Sequence, residues 1–191
     1  MIPRYRAIEK ILERVEDGDV VLSTTGMISR EVFQTEDRAG NFYMLGSMGL
    51  LSSFGLGLAL LQPARRVFVL EGDGSALMSL GTLPLIATEG VTNLIHLVLD
   101  NEAYESTGGQ PSISAGVDLS QIAKNSGYRQ VMRPEDVEAL VDALDQAMNN
   151  PGPQFILIKV GIAPVADISR VNLTPIEIRD RFSTFLDSSI N

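Results

Sequence analysis

The chain has 191 residues, 45% apolar and 20% charged, with no cysteine, so disulfides, thiolate nucleophiles and zinc–thiolate centres are excluded. Its formal charge of −9, with no basic stripe, argues against nucleic-acid binding, and the single histidine, His96, rules out histidine dyads and multi-histidine metal sites within the chain. The length suits one domain, 1–191, in a reducing cytoplasm: no apolar run approaches the roughly 20 residues that cross a bilayer, and Met1-Ile2-Pro3-Arg4 lacks the character of a signal peptide.

Residues 4–15 carry Ile8, Ile11, Leu12 and Val15 at helical spacing with charges between them, which predicts an amphipathic leading helix. A turn at Asp17-Gly18-Asp19 feeds a short buried strand, 20–22, followed by Ser23-Thr24-Thr25-Gly26 and a helix to Phe33. A weaker strand is expected at 41–45. Gly46-Ser47-Met48-Gly49 then opens a helix, 50–61, whose face holds Ser52, Ser53, Gly55, Gly57 and Ala59. Interior glycines cost about 1 kcal/mol each relative to alanine, so this helix is expected to pack closely on a sheet. A strand at 66–70, a helix at 75–88 ended by Gly90, and a second strand at 94–99 come next. The segment 101–117 is rich in Gly, Ser, Thr and Pro, without apolar period, and loops this long are more often functional than idle. A helix at 118–126, a strand at 128–132, a helix from Pro134-Glu135-Asp136 with Val137, Leu140, Val141, Leu144 and Met148 on one face, and a strand at 155–160 follow. Thr174-Pro175-Ile176-Glu177 reads as a capping box that launches a last helix at about 175–186. Strands alternating with helices predict an α/β fold of three layers, α/β/α, on a mostly parallel sheet of about six strands.

Strand, glycine turn, helix and strand across 67–101 form a right-handed crossover, so Asp73 and Asn101 would stand at the carboxyl ends of neighbouring parallel strands. Magnesium takes oxygen ligands and few protein groups, and this pair with a nearby backbone carbonyl suits it. The flanking Gly72 and Gly74 let the chain turn sharply and bring amides to an anion, and Ser75 is expected to begin a helix whose amino end favours negative charge. A divalent cation holding a diphosphate is the functional reading. The bland reading, a plain turn and a plain cap, is open on Gly72-Asp73-Gly74 alone.

Gly72-Asp73-Gly74-Ser75, the intervening 75–100 and then Asp100-Asn101 resemble the thiamine-diphosphate fingerprint. The stretches 23–31, 46–49 and 99–110 resemble the phosphonopyruvate and sulfopyruvate decarboxylases among the thiamine-dependent 2-oxoacid decarboxylases, and the β subunit of the latter above all. The resemblance covers nearly the whole chain and implies a diphosphate-binding domain with a thiamine-diphosphate-binding fold. It implies Asp73 and Asn101 as side-chain ligands of Mg2+ and the Ala103 carbonyl as a third. Gly72, Gly74, Ser75 and Thr25 would lie along the diphosphate. Gly46 and Ser47 would lie near the aminopyrimidine end, and Met48 would bend the cofactor. The implied reaction removes carbon dioxide from a small anionic 2-oxoacid, sulfopyruvate giving sulfoacetaldehyde, with phosphonopyruvate or another 2-oxoacid as the alternative.

The glutamate that activates the cofactor ring in this family belongs to a separate pyrimidine-binding domain, and no residue here matches it. The resemblance therefore implies a hetero-oligomer with a pyrimidine-domain subunit of similar size. Pyruvate decarboxylases carry a glutamate six positions after the metal asparagine, where this chain has Thr107. Glu105 falls two residues earlier, and its simpler reading is a solvated loop carboxylate. Glu105, Ser106 and Thr107 would form a substrate-side loop. Arg30 is a candidate for the positive charge a doubly anionic substrate needs, with a surface arginine as the simpler reading and the partner as another source. Tyr104 lines the site or packs beneath it. His96, mid-strand among Leu and Val, is expected to be packed and hydrogen-bonded. Two other classes are carried alongside, a non-catalytic cofactor-binding subunit and a nucleotide-binding module; the second lacks a Gly-x-Gly-x-x-Gly after a strand.

Overall fold

In a computed structural model of the chain, which describes residues 1–161 and 168–188, the order of elements is β1 (Ile2–Pro3), α1 (Arg4–Leu12), β2 (Val20–Ser23), α2 (Met27–Thr35), β3 (Asn41–Tyr43), α3 (Leu51–Leu61), β4 (Val67–Gly72), α4 (Asp73–Met78), α5 (Thr82–Glu89), β5 (Leu94–Asp100), β6 (Ala103–Tyr104), β7 (Gln110–Pro111), α6 (Leu119–Ser126), β8 (Gln130–Met132), α7 (Val137–Asn149), β9 (Gln154–Gly161) and α8 (Pro175–Asp187). Seven strands form one sheet in the order β1-β9-β5-β4-β2-β3, with β8 also on β9, and every pairing in it is parallel. The expected three layers and parallel sheet are present. β1 is too short to leave a periodic signal in the sequence; it shares one side of β9 with β8, pairing Ile2 with Val160 while β8 pairs Val131 with Phe155.

Alternation along each strand sends side chains to opposite faces. Val21, Phe68, Leu70, Ile95, Leu97, Ile156 and Ile158 pack against α1, α2 and α7. Val20, Leu22, Val67, Val69, Leu94, Val98, Phe155 and Leu157 pack against α3, α5 and α6. α8 lies beside β3 and reaches both cores, Ile178 joining the first and Phe182 the second. α3 packs as its small residues require: a Cβ on Gly55 would run into Val69 Cγ2, so β4 is approached at glycine distance.

Helix ends follow local chemistry. Asp118 accepts hydrogen bonds from the backbone N–H groups of Ser120 and Gln121, and Asp136 accepts one from Ala139. Thr174 and Glu177 make the reciprocal capping box, and Gly90 and Gly127 take the left-handed conformation that closes α5 and α6.

Two expectations need correction. The single helix 75–88 is two: α4 starts at Asp73 and ends at Met78, and α5 begins at Thr82 after the turn 79–81. Ser79 and Gly81 in the joint are poor helix formers, and the backbone turns there through Thr82 N–H to Ser79 C=O at 2.8 Å. The loop 101–117 is partly ordered by the antiparallel β6–β7 hairpin and by 3-10 turns at Glu105–Thr107 and Ile113–Ala115.

Candidate functional site

Because the strands run parallel, the turns that follow β2, β4 and β5 open on one edge. β2 is followed outward by β3 on one side, while β4 and β5 continue on the other, so the order of strands reverses between β2 and β4. Ligands of open α/β sheets settle in such a crevice. A cleft is found there, lined from the β2 turn by Thr24, Thr25, Met27 and Ile28, from the β4 turn by Gly72, Asp73, Gly74 and Ser75, and from the β5 side by Leu99, Asn101 and 103–107, with Met48 and Arg4 at its walls.

Of the residues singled out from sequence, Thr25, Met48, Gly72, Asp73, Gly74, Ser75, Asn101, Ala103, Tyr104, Glu105, Ser106 and Thr107 meet in this cleft. Gly46, Ser47 and Arg30 do not line it. The turn 45–48 stands exposed to solvent, with Met48 36% exposed.

Asp73 is buried, and its Oδ2 accepts hydrogen bonds from the hydroxyls of Ser112 and Ser114, the latter at 3.1 Å. Ser114 Oγ also lies 2.8 Å from Asp100 Oδ1, and Lys159 Nζ pairs with Asp100 at 2.6 Å. Among the described residues no cation pairs with Asp73 itself. Burial pushes its carboxyl up, the serine hydroxyls pull it down part of the way, and the Asp100 carboxylate pushes it up again. A buried carboxylate without a counter-ion fits a divalent cation, to which the amide oxygen of Asn101 and a backbone carbonyl would add oxygen donors of the kind magnesium takes. No group of three or more His, Cys, Asp or Glu among the described residues could hold a metal, so the cation would rest on few protein ligands.

Gly74 supplies the second fit. A Cβ there would clash with Tyr104 Cε1 and come within 2.9 Å of Met48 Cε, so only glycine leaves the turn room beside these two side chains. The resident groups therefore suit a cation with an anionic ligand along the β4 turn.

Ser75 is more tightly committed than its place in the motif suggests. Its hydroxyl donates to Glu71 Oε2 at 2.6 Å and accepts from the Gly49 N–H at 3.2 Å, which ties the 46–49 turn to β4. The Ser75 hydroxyl hydrogen is thus spent on Glu71. His96 is packed and hydrogen-bonded, as expected: Nε2 lies 2.6 Å from Glu71 Oε1 and Nδ1 lies 2.9 Å from the Tyr128 hydroxyl. Burial, reinforced by the Glu71 charge, pushes the Tyr128 hydroxyl well above its ordinary value.

Glu105 corrects its simpler reading. It is mostly buried, pairs with Arg4, and accepts a hydrogen bond from Asn101 Nδ2 at 3.2 Å. Arg4 in turn holds buried Glu31 by two bonds, Nε to Oε2 at 2.9 Å and Nη2 to Oε1 at 2.6 Å. Burial would lower the Arg4 value, but Glu31 and Glu105 outweigh it and hold the guanidinium firmly charged. Sequence reasoning does not find Arg4, Glu31, Glu71, Ser112 or Ser114. Each gains its role through a distant contact; the one local hint is a carboxylate, Glu71, continuing an apolar strand.

Residues 24–158 match the family described as thiamine pyrophosphate enzyme, C-terminal TPP binding domain. The chain is 41% identical over 182 residues to the sulfopyruvate decarboxylase subunit beta of Methanothermobacter thermautotrophicus, covering 95% of this chain and 94% of that one. It is 40% identical over 183 residues to the phosphonopyruvate decarboxylase of Streptomyces viridochromogenes, covering 96% of this chain but 46% of the relative, so it spans about half the length of that kind of relative. Among solved structures, the benzoylformate decarboxylase of Polynucleobacter necessarius superposes with a TM-score of 0.72 at 21% identity, over 84% of this chain and 34% of that one, a likeness of fold.

Proposed function

The chain belongs to the thiamine pyrophosphate enzyme family, and from that premise we propose that it is the diphosphate-binding subunit of a decarboxylase that converts sulfopyruvate to sulfoacetaldehyde and carbon dioxide. When bound, thiamine diphosphate supplies the carbon nucleophile and the electron sink that loss of carbon dioxide requires. This chain's residues hold and orient. Asp73 and Asn101, with the Ala103 carbonyl, hold Mg2+; Gly72, Gly74, Ser75 and Thr25 line the diphosphate; Met48 supports the bend. Glu105, Ser106 and Thr107 border the substrate side.

The observation that carries this reading is the buried Asp73 carboxylate, without a cation partner among the described residues, in one cleft with Asn101 beside the strand-order reversal. The choice of sulfopyruvate is supported by length rather than identity: the chain covers 94% of a sulfopyruvate decarboxylase subunit but 46% of a phosphonopyruvate decarboxylase of nearly equal identity. The choice of a two-chain site is supported by the turn that would meet the aminopyrimidine end. Gly46 and Ser47 stand outside the cleft, and the exposed Leu45, Met48 and Leu50 beside them, with Met78 against Gly49, form an apolar rim. A pyrimidine-domain subunit seated on that rim would complete the site, and this chain would act as one diphosphate-binding domain.

Calorimetry should show thiamine diphosphate binding that depends on Mg2+ and is lost in Asp73→Ala with the fold retained. Unchanged affinity in that variant would overturn the cation assignment. Assay of the chain together with its pyrimidine-domain partner on sulfopyruvate, phosphonopyruvate and pyruvate decides the substrate. Preference for phosphonopyruvate would favour the second reading, and full turnover by the isolated chain would overturn the two-chain site.

A further inference from the structure

Asparagine is a metal ligand with a wrong end. Its carbonyl oxygen binds a hard cation, whereas its amide nitrogen carries two donors and repels one. The two ends differ little in shape, so the neighbours of the side chain decide which of them faces the cation.

Asn101 is bracketed by two neighbours of opposite kind. Its Oδ1 accepts the Ala103 N–H at 3.1 Å and its Nδ2 donates to Glu105 Oε2 at 3.2 Å. A flipped amide would set oxygen against the Glu105 carboxylate and NH2 against an N–H, losing both bonds and adding two repulsions. A backbone N–H is fixed by the fold; the Glu105 carboxylate must be fixed by something else. Arg4 does this, with Nη1 on Oε2 and Nη2 at 3.3 Å from Oε1. The far side of the same guanidinium is clamped by Glu31. The chain of contacts runs from α2 through the first residue of α1 to the loop after β5, and it ends on the amide.

We infer that Glu105, held by Arg4 and Glu31, is a positioning residue that turns the carbonyl oxygen of Asn101 toward the cation. This rests on the proposed cation site. It also takes Glu105 out of proton transfer: both of its oxygens are occupied by Arg4, and one of them by Asn101 as well. A buried arginine between two glutamates in the wall of the cleft thereby gains a purpose. Fixing an orientation requires a rigid acceptor, and bidentate contacts on both sides of the guanidinium supply that rigidity. Outer-sphere partners of this sort are worth about 10- to 100-fold in metal affinity.

The test uses the symmetry of a carboxylate. Asn101→Asp replaces a ligand that must be oriented by one whose two ends are both oxygen. Mn2+ affinity of the chain together with its pyrimidine-domain partner is measured by electron paramagnetic resonance with thiamine diphosphate present, and thermal unfolding is followed in parallel. Glu105→Ala should weaken Mn2+ about 10-fold or more in the otherwise wild-type chain. In the Asn101→Asp background the same change should leave affinity unchanged, or improve it by removing a like charge. Arg4→Lys, which keeps the charge and loses the fork, should fall between wild type and Glu105→Ala. A loss of equal size in both backgrounds would mean that Glu105 merely supports the loop, and would overturn the inference; so would no loss in either. If the wild-type chain together with its pyrimidine-domain partner binds no Mn2+ with thiamine diphosphate, the cation site itself falls and the inference falls with it. That outcome differs from normal wild-type binding that Glu105→Ala leaves unaltered.

Discussion

Glu71 and His96 face each other at 2.6 Å on the neighbouring strands β4 and β5, both fully buried. With His96 Nε2 donating to the carboxylate, Nδ1 is left to accept from Tyr128, and the second carboxylate oxygen takes the Ser75 hydroxyl. The network is saturated, so removing one member strands a charge. His96→Leu is expected to cost about 1–3 kcal/mol or more, the penalty of leaving a buried acceptor without its donor. Glu71→Met with His96→Leu should regain a large part of that loss, because no buried charge remains. Urea unfolding of the two variants measures the difference; equal losses would mean that the pair contributes through packing alone.

Two glycines of one helix are expected to respond in opposite directions. A Cβ on Gly55 meets Val69 Cγ2, whereas a Cβ on Gly57 meets nothing within 4 Å. Gly55→Ala should destabilise by about 1–3 kcal/mol through overpacking. Gly57→Ala should stabilise by about 0.5–1 kcal/mol through helix propensity. Thermal melts of both variants against wild type check the pair.

Gly74→Ala is expected to destabilise the fold by about 1–3 kcal/mol through overpacking in the turn, and to weaken thiamine diphosphate binding as the displaced side chains enter the cleft. The added Cβ meets the ring of Tyr104 first and Met48 second. Tyr104→Leu in the same chain should relieve the crowding and restore thermal stability, and calorimetry with Mg2+ would show whether binding returns with it.

Asp118 gives the chain a pH dependence of definite sign. Burial raises its carboxyl, but bonds from Ser120 and Gln121 and the charge of Arg133 together outweigh this and hold it below the usual range. A depressed carboxyl stabilises the fold above its unfolded value, about 3.9, and loses that contribution as pH falls through the lower folded value. Asp118→Ala should cost about 1 kcal/mol at neutral pH through the lost cap. The gap from wild type should close progressively on acidification below about pH 4. Denaturant unfolding at a series of pH values measures it, and a gap independent of pH would show that the charge of Asp118 plays no part.

Much of the fold is legible in the sequence because its determinants are local. Strands 20–22, 66–70, 94–99 and 155–160 announce themselves as apolar runs, and the Thr174 and Glu177 capping box lies within four residues. The proposed ligand pair is legible for a related reason: Asp73 and Asn101 follow two consecutive parallel strands, and a crossover fixes their common edge. Arg4 is not legible. In sequence it is one polar position of an amphipathic helix, and its partner Glu105 lies about a hundred residues away with nothing between them that signals the contact. Glu105 misleads for the same cause, because a carboxylate in a polar loop looks solvated until the arginine is in place. Ser112 and Ser114 are lost in a loop rich in serine and glycine, and only folding the loop back over Asp73 gives them a purpose. The division of 75–88 into two helices depends on a single turn at 79–81, where propensity is weak in either direction.

The pairing of β1 with β9 bears on the order in which a ribosome could deliver a working cleft. Ile2 finds its strand partner only at Val160, so the start of the chain must wait until nearly the last strand has emerged. Arg4, two residues on, can meet Glu31 early, but its contact with Glu105 and the pairing of the neighbouring strand come later. Parallel sheets assembled from such distant contacts are slow to close and expose apolar surface meanwhile. The nascent chain can therefore build β2 to β5 and the Asp73 turn before β9 arrives to pair with β1. The edge of the sheet that carries Arg4 is therefore closed only near the end of synthesis.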